Sequence, residues 1–301
     1  MELKQLRYFL AVAEELHFSR AAQRVGITQP ALSSQIQQLE NELEVVLINR
    51  TSRQVSLTEY GEALLSHAQH VLAASDSTVQ HIRDMKLGAN TRLKVGTLPA
   101  GANGPLPAIL RRLQEQKPGL LVELYYFNHN LEQERKLLSG ELDVSLLRTL
   151  PQSRRLATEK VFDESFSAYL PLTHPLSRRE RISLAELHDS LFIWPSSGDT
   201  GFRELTLAAC RRHGFAPKIG GYADSIHGHV CLAAAGLGVS VVANSNTVLG
   251  RPDIAIVPLD DGDIRASLHV AYRKWDESRP EIDSFLQCLR ELRNTFTYDN
   301  P

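Results

Sequence analysis

The stretch HFSRAAQRVGITQPALSSQIQQLENEL, residues 17–43, constrains this chain more than any other. Ser19–Val25 reads as a short helix whose small side chains, Ala21 and Ala22, let a second helix approach closely. Gly26 then ends it, because glycine takes the positive φ that a helix terminus commonly needs. Thr28 follows as an N-cap, and Pro30 falls in the next first turn, where its missing N–H costs nothing. From there Leu32, Ile36, Leu39 and Leu43 recur at i, i+4, i+7 and i+11, a single apolar stripe on a helix. The opposite face carries Gln29, Pro30, Ser33, Ser34, Gln37, Gln38 and Asn41. Those are short or amide-bearing side chains, able to donate to and accept from base edges and phosphates. Helix, glycine turn and a second helix with an uncharged polar face is the pattern of a helix-turn-helix reader. The same periodicity fits an ordinary helical hairpin on a domain surface.

The flanking residues narrow that choice. Residues 3–16 read as a first helix, with Leu6, Phe9, Leu10 and Ala13 on the face that covers the next two. Val45–Asn49 and Gln54–Leu57 read as short extended pieces around Thr51-Ser52-Arg53, a small wing. From LKQLRYFLAVAEEL through to SLTEYG, the chain strongly resembles the DNA-binding domain of LysR-type transcriptional regulators, continuously over roughly the first sixty residues. The resemblance implies a reading helix that presents Gln29, Pro30, Ser33 and Ser34, with Thr28 and Gln37 completing the DNA-binding set. It places Arg50 and Arg53 at the wing, near the backbone or minor groove. One departure stands out: family members often carry arginine where this chain has Ser34 and Gln37.

A long element begins at Thr58, an N-cap, with Glu59 and Glu62 placed well for the helix dipole. It runs to about Leu87 and stops at Gly88. Leu64, Leu65, Ala68, Val71, Leu72, Ser75, Val79, Ile82 and Met85 stripe one side of it. A helix this long with one apolar side needs a partner, and a second copy of the chain is the economical one. In the resembling family this is the dimerising linker helix, which implies a homodimer or homotetramer.

Composition sets the outer bounds. The 301 residues suit two or three domains, and 43% hydrophobic with 23% charged residues is ordinary for a soluble globular protein. No apolar run approaches the roughly 18 residues a membrane span needs, and the charged N-terminus lacks a signal-peptide pattern, so the expected location is cytoplasmic. Cys210, Cys231 and Cys288 are widely spaced and read as buried small hydrophobes rather than metal ligands or disulfides. The net charge is −2, and residues 1–58 hold six bases against six acids. That balance permits a DNA module without demanding one.

After residue 91 the texture becomes α/β. Leu93–Thr97, Leu106–Gln116, Leu120–Tyr126, Leu131–Ser139 and Leu142–Leu147 alternate as βαβαβ, which implies a parallel sheet covered by helices. The pattern is expected to repeat in a second block. There Phe166–Leu170, Leu191–Trp194, Ile219–Tyr222 and Val239–Val242 read as strands, and Gly201–His213 and Ser225–Ala235 as helices. A last strand, Ile264–Ala271, and a helix, Arg279–Leu292, close the chain. Two such blocks suggest a cleft between lobes, with ligands beyond the C-terminal strand ends. The family resemblance continues through Gly96–Pro107, GELD at Gly140–Asp143, HPL at His174–Leu176, WPSS at Trp194–Ser197 and AAAGLGVSVV at Ala233–Val242. It implies a winged helix-turn-helix at 1–58, a linker helix at 59–90 and a bilobed effector domain at 91–301, of the type II periplasmic-binding-protein kind. Lobe I would take about 91–161 plus 267–301, and lobe II about 162–266.

Within the resemblance, effector contacts fall near Pro99–Gly104, Asn128–Asn130, Pro195–Phe202 and Asp224–Ile226. The candidate contacts are Ala100, His129, Ser196, Ser197, Thr200, Phe202 and Ser225. Ser196, Ser197 and Thr200 offer hydroxyls before a helix whose N-terminus favours an anion, and Arg148, at a strand's C-terminal edge, suits a carboxylate. Relatives that sense aromatic carboxylates often carry a hydroxyl in each of the first two loops, where this chain has Ala100 and His129. The effector is therefore expected to differ from those acids.

No enzyme motif competes with this reading. Gly236-Leu237-Gly238 follows a helix and precedes a strand, the reverse of a dinucleotide-binding turn, and there is no GxSxG elbow, phosphate loop or HExxH. No cofactor and no metal site are expected. The expectation is a transcription regulator that binds double-stranded DNA and is switched by a small molecule. A solute-binding protein, or an α/β enzyme with an N-terminal oligomerisation arm, remain the alternatives.

Overall fold

Leu32, Ile36 and Leu39 do what their spacing predicts. In the computed structural model, which describes residues 1–50, 55–86, 92–196, 201–262 and 264–296, all three are fully buried. Helices α1 (Leu3–Glu15), α2 (Phe18–Arg24) and α3 (Gln29–Leu43) close around them with Leu6, Phe9, Val12, Ala21 and Ala22. Gly26 takes φ +72° in the α2–α3 turn, the conformation its position calls for. Leu43 departs from the expected stripe and is 37% exposed. It is the last residue of α3, and Glu44, at φ 56°, turns the chain away from the core. Thr28 holds the N-cap position, yet its side chain makes no capping bond. A cap oxygen accepts from the second or third helical N–H, and Pro30 in second place has none to give.

In the wing β1 (Ile48–Arg50) is antiparallel to β2 (Val55–Leu57), with residues 51–54 outside the described residues. Its root is fixed by the reading helix itself. The Glu40 carboxylate accepts the N–H groups of Leu47 at 2.9 Å and Ile48 at 3.1 Å. Helix α4 (Glu59–Lys86) starts as expected, with Thr58 Oγ1 accepting the Gly61 N–H at 3.0 Å while donating to the Val46 carbonyl at 2.7 Å. A Cβ on Gly61 would lie 2.2 Å from the Leu47 carbonyl oxygen, so only glycine lets α4 pass this close to the wing. The long stripe divides in two. Ala68 and Leu72 are buried in the same core as α1 and α3, whereas Val71, Val79 and Ile82 are 42%, 47% and 59% exposed. Ala68 and Leu72 cover the helix's own head, while Val71, Val79 and Ile82 leave apolar side chains in solvent. The expected stop at Gly88 lies outside the described residues.

The following elements are β3 (Arg92–Thr97), α5 (Pro99–Asn103), α6 (Leu106–Gln116), β4 (Leu121–Tyr126), α7 (Asn130–Leu138), β5 (Val144–Leu147) and β6 (Leu156–Glu164). Then come β7 (Phe166–Pro171), β8 (Leu191–Pro195), α8 (Gly201–Arg212), β9 (Lys218–Ala223), α9 (Ile226–Ala234), β10 (Ser240–Ala243), β11 (Ile254–Pro258), β12 (Ala266–Arg273) and α10 (Pro280–Leu292). The chain forms two compact units. The first holds α1 to α4 and the wing, with Leu138–Glu141 grouped to it, and the second holds the remainder.

In the second unit β4, β3 and β5 are parallel, as the βαβαβ reading requires. The chain's last strand, β12, then inserts antiparallel between β5 and β6, giving the order β4-β3-β5-β12-β6. Leu106, Ile109 and Leu113 of α6 meet Ile282, Phe285 and Leu289 of α10 in the core of this sheet. The second block does not repeat the first. β8 and β9 are parallel, but β7 lies antiparallel between β10 and β11. β7 follows β6 of the other sheet after one residue, Ser165, and β10 and β11, both antiparallel to β7, are separated by the 3₁₀ turn Asn244–Leu249 and residues 250–253. Strands β6 and β11 and the short α5 are additions to the expected elements.

The GELD segment closes one buried network. Asp143 accepts the Lys94 N–H at 2.9 Å and the Arg279 guanidinium at 2.6 Å. Arg273, 3% exposed, donates to Asp276 and to the carbonyls of Leu137 and Leu142, with Asp143 at 3.4 Å. Cys210 and Cys288 are buried, but Cys231 is exposed, because it sits one residue beyond Val230 on α9 and so turns off the buried face. Among the described residues no helix is long and apolar enough to cross a membrane.

One buried group carries a pH prediction. His229, 6% exposed, has Nδ1 2.7 Å from Ser240 Oγ, and burial pushes its pKa down to about 4. Its folded pKa lies below the unfolded 6.5, so the unfolded chain takes the proton first as pH falls. Stability is complete above about pH 6.5 and declines toward pH 4, by up to ~3 kcal/mol. Urea unfolding at pH 7 and pH 5 measures this, and His229→Asn should remove most of the difference. An undiminished pH slope in that variant would assign the loss to other groups.

Candidate nucleic-acid interface and strand-end site

The outer face of α3 is an open, shallow depression lined by Gln29, Pro30, Ser33, Ser34, Gln37, Gln38 and Asn41. These are the seven residues that periodicity sets opposite the apolar stripe. All are exposed except Ser33, which is half-buried. Gln38 Oε1 accepts from Gln35 Nε2 at 3.3 Å, which leaves its own N–H groups turned to other acceptors. No charged side chain lines the depression.

The arginines beside it are engaged by the head's own acids. Arg24 lies 2.6 Å from Glu14 and 3.3 Å from Glu15, and Arg20 sits 3.6 Å from Glu15 and donates to its carbonyl at 2.7 Å. The hydrogen bond that Arg24 donates to Glu14 raises its pKa further. Arg7 pairs with Asp76 at 2.6 Å, and Lys4 stands 5.6 Å over the Tyr8 ring. Exposed pairs of this kind are weak, about 0–1 kcal/mol, so phosphates can compete for them. Arg53 lies outside the described residues, as does the side chain of Arg50.

In the second unit the singled-out residues follow the C-terminal ends of parallel strands, where α/β sheets collect ligands. Ala100 follows β3 on α5, His129 follows β4, Arg148 follows β5, Ser196 follows β8 and Ser225 follows β9. Their roles differ. Ala100 is 3% exposed and belongs to the hydrophobic core, so its methyl group faces inward rather than toward a ligand. His129 is half-buried, next to Asn130, whose Oδ1 accepts the Arg148 N–H at 2.9 Å. Ser196 is exposed, and its N–H donates to the Ala223 carbonyl at 2.9 Å, joining the ends of β8 and β9. Ser225 Oγ caps α9 by accepting the Gly228 N–H at 3.3 Å. Ser197 and Thr200 lie outside the described residues, as does the side chain of Phe202.

Arg148 is paired with a carboxylate of the chain itself. Its Nη2 donates to Glu164, which is fully buried and also accepts the N–H and, at 3.1 Å, the hydroxyl of Ser245. Alongside, Asn103 Nδ2 donates to Asn246 Oδ1 at 3.1 Å, Ser167 Oγ to Asn244 Oδ1 at 2.8 Å, and the Tyr169 hydroxyl to the Asn246 carbonyl. Glu164, Ser245, Asn103 and Asn246 were not expected from sequence. The signal available was the run Asn244-Ser245-Asn246-Thr247 directly after four buried residues, since amides and hydroxyls at a buried strand end need partners.

Comparison with known proteins gives this geometry its relatives. The family model for bacterial regulatory helix-turn-helix proteins of the lysR family matches residues 3–62, and the LysR substrate binding domain matches residues 87–294. The chain is 34% identical over 292 residues to the transcriptional regulator AlsR of Bacillus subtilis, covering 95% of this chain and 94% of that one. It is 32% identical to the Hca operon transcriptional activator HcaR of Escherichia coli, with 97% and 98% covered. Among solved structures, CbnR in complex with its target DNA matches at TM-score 0.66 and 26% identity over 97% of this chain and 99% of that one. Full-length BenM matches at 0.61 and 29%, over 100% of each. The matches span both units at nearly full length, and the chain belongs to the LysR family of helix-turn-helix transcriptional regulators.

Proposed function

We propose that the chain reads operator DNA with the outer face of α3 and reports on a small-molecule effector held at the strand ends of its second unit. The observation that carries the reading is the exposed polar face, an α-helix surface offering amides and hydroxyls and backed by a dry core. Thr28, Gln29, Pro30, Ser33, Ser34 and Gln37 are assigned to the major groove, and Arg50 and Arg53 to the flanking backbone. The division is a DNA-binding head at 1–58, a linker helix at 59–90, and an effector domain at 91–301 whose lobes are 91–161 with 267–301 and 162–266. Val71, Val79 and Ile82 support pairing of α4 with a second copy, giving a cytoplasmic homodimer or homotetramer.

His129, Ser196, Ser197, Thr200, Phe202 and Ser225 are assigned to the effector, with Arg148 at their edge and Ala100 packing beneath. An anionic effector suits helix N-termini that follow the strands. Effector binding then shifts the regulator between two states of unequal DNA affinity.

Capture of fragmented genomic DNA on purified protein at about 150 mM salt tests the reading, since weak phosphate binding is suppressed there. A few sharply enriched sites with two-fold symmetric half-sites are expected. Absence of enrichment, with and without cell extract as a source of effector, would overturn it.

A further inference from the structure

We infer that Asn103 is a site of spontaneous deamidation, which folding leaves reactive and which turns a hydrogen-bond donor at the end of α5 into a carboxylate. The chemistry needs only the chain and water. The backbone nitrogen of the next residue attacks the asparagine Cγ, so an N–Cγ bond forms as the Cγ–Nδ2 bond breaks. Ammonia leaves with the proton from that nitrogen, and water opens the resulting five-membered imide to aspartate or isoaspartate. The step is limited by how closely the nitrogen approaches, and a side chain on the following residue obstructs it. Glycine does not, and it adds backbone freedom that other residues lack.

Of all the asparagines in the chain, Asn103 alone precedes glycine. Its place in the fold preserves that reactivity. Asn103 is the last residue of α5, a helix of five residues, and Gly104 has already left helical geometry at φ −105° and ψ −116°. Both residues are half-buried, so water reaches them. The Gly104 N–H is held by a long bond, 3.3 Å, to the Gly101 carbonyl. Among the described residues the Asn103 amide makes one hydrogen bond, from Nδ2 to Asn246 Oδ1 at 3.1 Å. The neighbouring asparagines are better guarded. Asn130 is buried, accepts the Arg148 N–H and precedes Leu131. Asn244 is buried between Ser165 and Ser167, which bond both ends of its amide. Asn246 is buried and precedes Thr247, whose branched Cβ crowds the attacking nitrogen. Conversion at Asn103 sets an acceptor against Asn246 Oδ1, and isoaspartate adds a methylene to the backbone between α5 and α6. It also places a charge on α5, PAGAN, which otherwise has none.

One tryptic peptide isolates the site. Residues 95–111, VGTLPAGANGPLPAILR, follow Lys94, end at Arg111 and hold a single asparagine and no glutamine. Full-length protein is kept under mildly alkaline conditions at physiological temperature, and its digests are followed by mass spectrometry. This peptide should gain the mass of an amide-to-acid change before any other asparagine peptide, and should elute as two product isomers. Protein unfolded in urea should convert faster by no more than about tenfold, the effect of losing one such hydrogen bond. Asn103→Gln, whose ring closure needs six members, should keep the peptide unchanged. If the folded protein kept the wild-type peptide intact while the unfolded chain converted it fully, the fold would protect Asn103 and the inference would fail. Earlier conversion at another asparagine of the folded protein would overturn it equally.

Discussion

Replacing Arg273 with methionine is expected to remove about 3–5 kcal/mol of stability, the range for taking one partner out of a buried ionic network. The side chain is 3% exposed and serves four acceptors: Asp276, Asp143 and the carbonyls of Leu137 and Leu142. Methionine fills much of the volume but donates nothing, which leaves Asp276 buried without its arginine and two carbonyls unpaired. Asp143 keeps Arg279 and the Lys94 N–H. The network joins the end of β12 to the start of β5, so its loss loosens the strand that delivers Arg148 to the sheet edge. Urea unfolding of the full chain gives the measurement, with Arg112→Met as control. Arg112 is an exposed residue whose pairs with Glu115 and Glu291 are screened by solvent, and its loss should leave the midpoint in place. If Arg273→Met proved no worse than the control, water would have to satisfy the acceptors as well as the guanidinium does.

Much of this architecture was legible in the chain because local signals and global packing agree there. Gly26, Pro30 and the 32-36-39 stripe each specify one feature of the head, and all three point the same way. The parallel βαβαβ run was equally plain, since helix and strand periods alternate over 92–147. What escaped was set by pairing rather than period. β6, LATEKVFDE, mixes buried and half-buried positions without strict alternation, because β12 covers one edge and a bulge lies between Leu268 and His269. β7 looks like any buried strand, and nothing in its residues says that both neighbours run against it. At the strand ends the named residues follow the strands their sequence positions imply, but the side chains they bond to were not legible. Arg148 was placed on the right edge, but its carboxylate sits sixteen residues away in the chain, beyond what spacing can reveal. Ala100 was named as an effector-loop contact on the family resemblance, and α5, a single short helix, has no periodicity to mark the residue as core.

The junction at Arg148 and Glu164 yields the second large prediction, a non-additive double-mutant cycle. Glu164→Leu strands a guanidinium that is 15% exposed, and it frees the N–H and hydroxyl of Ser245. Arg148→Met leaves a fully buried carboxylate supported by Ser245 alone. Each single change should cost about 3–5 kcal/mol, because a buried charge without its partner keeps its desolvation penalty and loses the compensation. The double variant removes both charges and should recover most of that loss, as apolar replacements of buried pairs often do. The coupling between the positions should therefore reach about 3 kcal/mol, measured by urea unfolding of all four proteins. Additive single losses would mean that each group is satisfied independently, Glu164 by Ser245 and Arg148 by solvent. The distinction bears on switching. Glu164 ends β6 in one sheet and holds the turn that follows β10 in the other. A strongly coupled pair links the two sheets energetically through one junction, whereas independent groups would transmit nothing between them.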